Sequence, residues 1–464
     1  MILQLNKPYL KILFKVLYFL TTILILSALA FYNKLPLLYP DSGTYLFNSS
    51  SLAPSLGKAM GYSLFIHLVT WQATTWTIVL FQNLIISFLI FMFLKLWFRD
   101  WRIYQIHLIT IITLTLFSSL CWFSCLVMPD IFTPALVLVF IIFVCSEKIS
   151  ILQYILYLLL ITLFLLSHLT ILLLLFFLIV PILVFLMMKK KPKEIITRMK
   201  QRSYKLLAIG IATIMILCMY NYSHGLGFKV SHTTNMMLTA KFCDTGLLKR
   251  YLDDKCKTEN ACVLCKYKDS LPESSDAFLW GDRSPLYNYH HPEILDGFWL
   301  KAEKEYAPIV NDILSTPSYY NKLLSDGVKY TWKQMVTIKI STGKIPFVVN
   351  SAPYYPYRDK FPSELNSFLN SRQNTATLSF EPFESFNLIS VILSLIIILV
   401  GFFFVKPDFI LWFTTFIISY SLIANAFITS FLSVVEDRYQ SRIIWLLPLL
   451  AIVFLIKMIW KRTD

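Results

Sequence analysis

Six polar residues stand at the edges of long apolar segments. Asp41 lies in Leu38-Tyr39-Pro40-Asp41-Ser42-Gly43-Thr44-Tyr45, after the first apolar stretch. Lys58 lies in Gly57-Lys58-Ala59-Met60-Gly61-Tyr62-Ser63-Leu64-Phe65, and Asp130 follows Pro129 at the start of another stretch. Arg438, Tyr439 and Arg442 lie in Glu436-Asp437-Arg438-Tyr439-Gln440-Ser441-Arg442, before the last one. A carboxylate can accept the proton of an attacking hydroxyl. Two carboxylates can hold a divalent cation such as Mg or Mn. Arginine binds phosphate oxygens bidentately and stabilises a departing phosphate. On one membrane face, this set suits transfer of a group from a phosphorylated lipid to an acceptor outside the membrane. Each residue also has a plain structural role open to it. Asp41 and Asp130 can shape a turn or cap a helix, and Arg438 and Arg442 can anchor a span at the headgroups.

The elements that must position these residues are helices in lipid. Of 464 residues, 57% are hydrophobic and only 15% charged, with mean hydropathy +0.63. That excludes an ordinary soluble enzyme and a disordered chain. Twelve glycines exclude a collagen-like chain. A membrane crossing needs roughly 20 mostly apolar residues. Ten segments qualify, at about 10–31, 76–97, 103–121, 130–146, 150–167, 169–188, 205–222, 387–405, 408–428 and 442–460. The second could begin near Tyr62, and a tight turn at His168 must separate the fifth from the sixth.

Lys and Arg fix the orientation. They precede the first span (Lys7, Lys11, Lys15), fill every even-numbered gap (Lys95, Arg99 and Arg102; Lys148; Lys189 to Lys205; Lys406) and close the chain (Lys457, Lys461, Arg462). Both termini are therefore expected in the cytoplasm. The run from Lys189 to Lys205 reads as a cytoplasmic loop facing anionic lipid, not as a nucleic-acid site. The first segment reads as a retained anchor, since no small-residue cleavage pattern precedes Pro36. The expected architecture is an integral membrane, mainly α protein of about ten transmembrane helices. An α-rich extracytoplasmic domain is inserted between spans seven and eight. The modules are 1–222, with an outer loop at 32–76, then the domain 223–386, then 387–464. Short loops and the absence of a eukaryotic targeting signal point to a bacterial cytoplasmic (inner) membrane.

Cys243, Cys256, Cys262 and Cys265 cluster in the outer block. In an oxidising compartment they read as two disulfides with three possible pairings; the alternative is zinc, because Cys262-x-x-Cys265 has ligand spacing. The block is rich in aromatics, including Trp280, Tyr287, Tyr289, Trp299, Tyr306, Tyr319, Tyr320, Tyr354, Tyr355 and Tyr357. These suit stacking on an acceptor sugar, or equally a core or membrane edge. His290-His291 with Asp282 or Glu293 has metal-ligand chemistry, or is simply solvated. Asn48-Ser49-Ser50 and Asn221-Tyr222-Ser223 fit the glycosylation pattern. No phosphate-binding glycine loop, dinucleotide fingerprint, His-Glu-x-x-His or Gly-x-Ser-x-Gly is present, so no nucleotide cofactor is expected.

The arrangement resembles the multi-spanning membrane glycosyltransferases of the C-type fold, in particular the protein mannosyltransferase and lipid A aminoarabinose transferase relatives. Members of that superfamily carry an acidic residue in the first outer loop, which Asp41 matches. Many carry an Arg-x-Pro-Gly-Tyr-Pro-Leu-like stretch, which Lys58-Ala59-Met60-Gly61-Tyr62-Ser63-Leu64 resembles. Here Lys58 stands for the arginine, and Met60 and Ser63 for the prolines. A second acid opening span four resembles Asp130, and an Arg-Tyr pair before a late span resembles Arg438-Tyr439. The likeness covers mainly residues 30–190 and the loop near 438; the Cys-bearing block lies outside it. It implies a polyprenyl-phosphate-linked sugar as donor and an extracytoplasmic acceptor. It implies Asp41 as base or metal-organising acid, Asp130 as its partner, and Arg438 with Tyr439, Arg442 and Lys58 at the donor phosphate. Transfer would be inverting, because a single displacement needs one base and a good leaving group. Two other classes remain open from the sequence: a transporter or flippase of a lipid-linked substrate, which needs polar residues along a path through the bilayer, and a non-catalytic assembly protein, in which Asp41 and Asp130 lie apart as helix caps.

Overall fold

The computed structural model describes residues 8–55, 57–186, 193–257, 261–286, 297–405 and 408–460. Among them the regular structure is helical, with no strand. The N-terminal module runs α1 (Pro8–Leu26), α2 (Ala28–Asn33), α3 (Ser42–Ser51), α4 (Gly61–Thr70), α5 (Trp76–Leu94), α6 (Ile103–Phe117), α7 (Leu120–Ser124), α8 (Phe132–Cys145), α9 (Ile151–Ser167), α10 (Leu169–Leu186) and α11 (Lys193–Ser223). The polar block holds α12 (Thr234–Asp244), α13 (Leu247–Lys255), α14 (Ser275–Trp280), α15 (Gly297–Ser315), α16 (Pro317–Val336), α17 (Tyr354–Asp359) and α18 (Leu365–Leu369). The chain ends with α19 (Glu381–Phe404), α20 (Phe409–Leu432), α21 (Asp437–Ile444) and α22 (Leu446–Trp460).

Each of the ten apolar segments is helical, and six helices among the described residues are long and apolar enough to cross a membrane. The protein is a multi-pass, mainly α membrane protein. Its lipid-facing surface is apolar: Leu388, Ile389, Ile392, Leu393, Ile396 and Phe403 of α19 are all exposed. A patch of that kind marks contact with lipid. α8 is the opposite case. Every residue from Phe132 to Cys145 is buried, as expected of a helix that is apolar all round and central in a bundle.

Three expectations change in detail. The second span does not begin near Tyr62, because α4 is a separate helix. Trp71 and Gln72 take positive φ (46° and 56°) and break the chain before α5. The first segment divides at Ser27, whose hydroxyl bonds back to the Ile23 carbonyl at 2.8 Å. The last divides at Trp445, between α21 and α22. The polar block has two destinations. Residues from Met236 to Leu323 form their own core around Phe242, Leu248, Phe278 and Tyr306. Ile340, Phe347, Tyr357, Phe361, Phe368 and Leu378 join the large core of the membrane helices.

Glu364 secures that second part. Its buried carboxylate accepts the Thr75 backbone N–H at 3.1 Å and the Thr75 hydroxyl at 2.6 Å, with a further bond from the Thr74 hydroxyl. These are the free N–H and flanking hydroxyls at the start of α5, where negative charge is favoured. Glu364→Gln is expected to cost about 1–3 kcal/mol, read as an earlier thermal unfolding midpoint of the detergent-solubilised protein.

Candidate functional site

The site begins with backbone pairing between two distant loops. The Leu37 N–H donates to the Cys125 carbonyl and the Val127 N–H to the Leu37 carbonyl, both at 2.9 Å. The Ser42 hydroxyl adds a bond to the Val127 carbonyl at 2.8 Å. Gln373 flanks Leu38, accepting its N–H at 3.0 Å and donating to its carbonyl at 2.8 Å. Gln82, buried in α5, donates to the carbonyls of Ser124 and Leu126 at 3.0 and 3.1 Å, and accepts the Tyr62 hydroxyl of α4 at 2.6 Å. The loop bearing Asp41 and the loop bearing Asp130 are thus held in one register. Asp437 places the third piece: its carboxylate accepts the Lys339 N–H at 2.9 Å and the Thr342 hydroxyl at 2.8 Å, setting the start of α21 against residues 338–344.

These supports bring Asp41, Lys58, Asp130, Arg438, Tyr439 and Arg442 into one cluster. The Arg438 guanidinium bridges the two carboxylates, with Nη1 3.8 Å from Asp41 and Nε 3.7 Å from Asp130. Lys58 Nζ lies 2.6 Å from Asp41. Arg442 Nη1 lies 3.3 Å from Asp130, and its Nη2 donates to Asn425 at 3.1 Å and Thr170 at 3.4 Å. Asp130 is 2% exposed, Arg438 7% and Arg442 1%. The Tyr439 hydroxyl accepts from Arg438 Nη2 at 3.3 Å. Neither aspartate acts as a cap. Asp41 precedes α3 but makes no side-chain bond to it, and the residue capping α8 is Ile131.

The charges are tightly placed. Burial alone would raise the Asp41 pKa, but Lys58 and Arg438 outweigh it and hold the carboxyl below the usual range. In the turn between α9 and α10, burial and the neighbouring Arg442 push the His168 imidazole down to about 3, so it is neutral. Two donors of Arg438, Nε and Nη1, have no hydrogen-bond partner although they are buried. Their carboxylate neighbours stand beyond hydrogen-bond reach. A buried guanidinium with unused donors has the chemistry to bind an anion.

A divalent cation does not fit between Asp41 and Asp130. The bridging position is held by Arg438, and Lys58 and Arg442 meet the remaining charge. A hard cation needs about six oxygen ligands. Among the described residues, the one three-donor group close enough for a metal is Cys256, Cys262 and Cys265, and two of these are joined in a disulfide.

Several residues here carry no sequence signal. The Tyr39 ring lies 4.1 Å from the Arg438 guanidinium, and its hydroxyl donates to Glu436 at 3.1 Å. It packs so closely on Gly343 (φ 73°) that a Cβ there would fall 1.8 Å from the ring, so only glycine fits. Lys344 follows, 4% exposed, bonded to the Ile340 carbonyl and 4.8 Å from the Phe123 ring. Ser-Thr-Gly-Lys in a polar stretch reads as a surface turn; its burial appears only in three dimensions.

The cysteine expectation is corrected. Cys256 and Cys265 form one disulfide, while Cys243 and Cys262 are unpaired. Cys243 is buried at the end of α12 and its thiol donates to the Pro272 carbonyl at 2.7 Å. Cys262 sulfur lies 3.1 Å from that of Cys265. Of the candidate stacking aromatics, Tyr306, Tyr319 and Tyr357 are core residues, whereas Tyr355 faces a cavity. Asn221 is buried and donates to the Lys229 carbonyl at 2.7 Å, which removes it as a glycosylation acceptor. Tyr287, Tyr289, His290, His291 and Glu293 lie outside the described residues, as do Lys7, Lys189 to Lys191, Lys406, Lys461 and Arg462. No protein-family model, curated protein or solved structure matches this chain.

Lys344 gives a pH signature. Burial lowers its pKa from 10.5 to about 8. Between those values the unfolded chain binds the extra proton, so stability rises with pH across that window. The unfolding midpoint, followed from pH 7.5 to 10.5, is expected to climb in the wild type and to climb less in Lys344→Met.

Proposed function

We propose that the protein is a membrane glycosyltransferase that moves a sugar from a polyprenyl-phosphate-linked donor to an acceptor on the outer face of the cytoplasmic (inner) membrane. The observation that carries this reading is Arg438, buried between two carboxylates with two N–H donors unused. An incoming phosphate satisfies those donors, and Lys58 exchanges its contact with Asp41 for a phosphate oxygen. Asp41 is then free to accept a proton. The acceptor hydroxyl oxygen bonds to the sugar's anomeric carbon as the bond from that carbon to the phosphate oxygen breaks. Asp41 takes the hydroxyl proton and polyprenyl phosphate leaves, its charge met by Arg438 and Lys58. One displacement inverts the anomeric centre. Asp130 positions Arg438 and Arg442.

The reading needs ten spans with both termini in the cytoplasm. The ends of segments one, four, five, six and ten then lie on one outer face, where Asp41, Asp130, His168 and Arg438 are found. The close approach of Asp41 and Asp130, neither of them a cap, speaks against a non-catalytic assembly protein. Inside the bundle Tyr18 pairs with His107 at 2.6 Å and Thr22 with Ser87 at 2.7 Å, which weighs against a transport path at those positions.

The test is release of polyprenyl phosphate from a panel of polyprenyl-phosphate hexoses and pentoses by the protein in nanodiscs. Asp41→Asn is expected to slow release by about 10²–10⁴-fold, and Arg438→Lys by about 10²–10³-fold. Wild-type rates in both variants would sink the proposal. EDTA is expected to leave the rate unchanged, since the cation-like role at the two carboxylates belongs to Arg438.

A further inference from the structure

A cavity of about 720 Å³ opens one helical turn along α3 from Asp41, within the size range of ligand sites. α3 supplies Thr44, Phe47 and Asn48, and α17 supplies Tyr355, Arg358 and Asp359. The two walls meet at Gly43, where a Cβ would fall 2.3 Å from the Ala352 carbonyl oxygen. Backbone touches backbone there, so the wall bearing these side chains is fixed to the helix that Asp41 precedes.

The chemistry of the lining differs from that of the cation cluster. Arg358 and Asp359 neutralise each other, Nε to Oδ1 at 2.6 Å and Nη2 to Oδ2 at 2.9 Å. That pair is neutral, and a cation stands beside it: Lys360 Nζ lies 5.8 Å from the Phe47 ring. Among the described residues the lining holds no leucine, isoleucine, valine or methionine. One mode of peptide binding adds a strand to a sheet edge, and the described residues contain no strand. What the lining offers is aromatic faces beside paired polar groups. Phe47 is 49% exposed, and the Arg358 guanidinium lies 5.0 Å from the Tyr355 ring. A sugar ring has apolar C–H faces and a rim of hydroxyls. Phe47 and Tyr355 match the faces, and the Asn48 amide, the Asp359 carboxylate and the Arg358 N–H groups match the rim.

We infer that this cavity binds a carbohydrate, and that the acceptor of the proposed transfer is a glycan held between α3 and α17 with a hydroxyl directed to Asp41. The inference rests on the transferase reading for the word acceptor; the sugar site stands by itself. Saturation-transfer NMR on the full-length protein in nanodiscs tests it. The probes are the methyl glycosides of glucose, mannose, galactose and N-acetylglucosamine, with a blocked threonine-containing tetrapeptide for comparison. At least one glycoside is expected to receive saturation. Phe47→Ala and Asp359→Asn are each expected to cut that signal by about 3- to 10-fold, the worth of one aromatic or polar contact, and Phe47→Tyr to restore it. Saturation of the peptide alone, of nothing, or of glycosides undiminished in both variants would overturn the inference. A separate titration of the wild-type protein with polyprenyl phosphate reads the donor site. Failure there removes the transferase reading and leaves the glycoside result standing.

Discussion

A carboxylate can be buried in a membrane protein only where its charge is met, and here one guanidinium meets two. Arg438 between Asp41 and Asp130 is the contact on which the cluster depends. Removing it would leave Asp130 with Arg442 alone in a nearly dry site, and leaving a buried charge uncompensated is costly. The same contact explains the scaffolding around it. Leu37 with Val127, Gln82 with the Ser124 and Leu126 carbonyls, and Gln373 with Leu38 all fix two loops whose only shared purpose is to face α21. The pairing is strong in charge and loose in geometry, since both gaps exceed hydrogen-bond length. That combination leaves Nε and Nη1 of Arg438 ion-paired but without a hydrogen-bond partner.

The charges around this contact are matched in number, but only two of the carboxylates stand within ion-pair range of it. Lys58, Arg438, Arg442 and the buried Lys344 face Asp41, Asp130 and the more distant Glu436 and Glu384. The cluster sits beside a cavity lined by aromatic and polar groups.

The membrane helices were legible because burial in lipid leaves a long one-dimensional record. Ten apolar runs became ten helical segments, and errors fell at breaks set by local geometry, such as Trp71-Gln72 and Ser27. The cluster was legible in part, since Asp41, Asp130, Arg438 and Arg442 interrupt apolar sequence at its edges, where charge is conspicuous. Tyr39, Gly343 and Lys344 were not, because they sit in polar loops and gain their meaning from one another across some three hundred residues. The same limit applies to the cysteines. Four in a short stretch suggest two bridges, but Cys243 turns into a helical core. The polar block likewise reads as one unit, yet its last part packs on the membrane helices through Tyr357 and Phe361.

The sequence separation within the cluster has a consequence for synthesis. Asp41 and Asp130 emerge early and Arg438 and Arg442 very late, with the whole polar block in between. A chain made from its N-terminus inserts most of its helices before the two arginines exist. Until then Asp130 waits without its counter-charges, and loop closure over so long an interval is slow. The growing chain must hold that carboxylate wet or protonated, and lock it only when α21 arrives. The ion pairs of Asp130 with Arg438 and Arg442 therefore form only after α21 has been made.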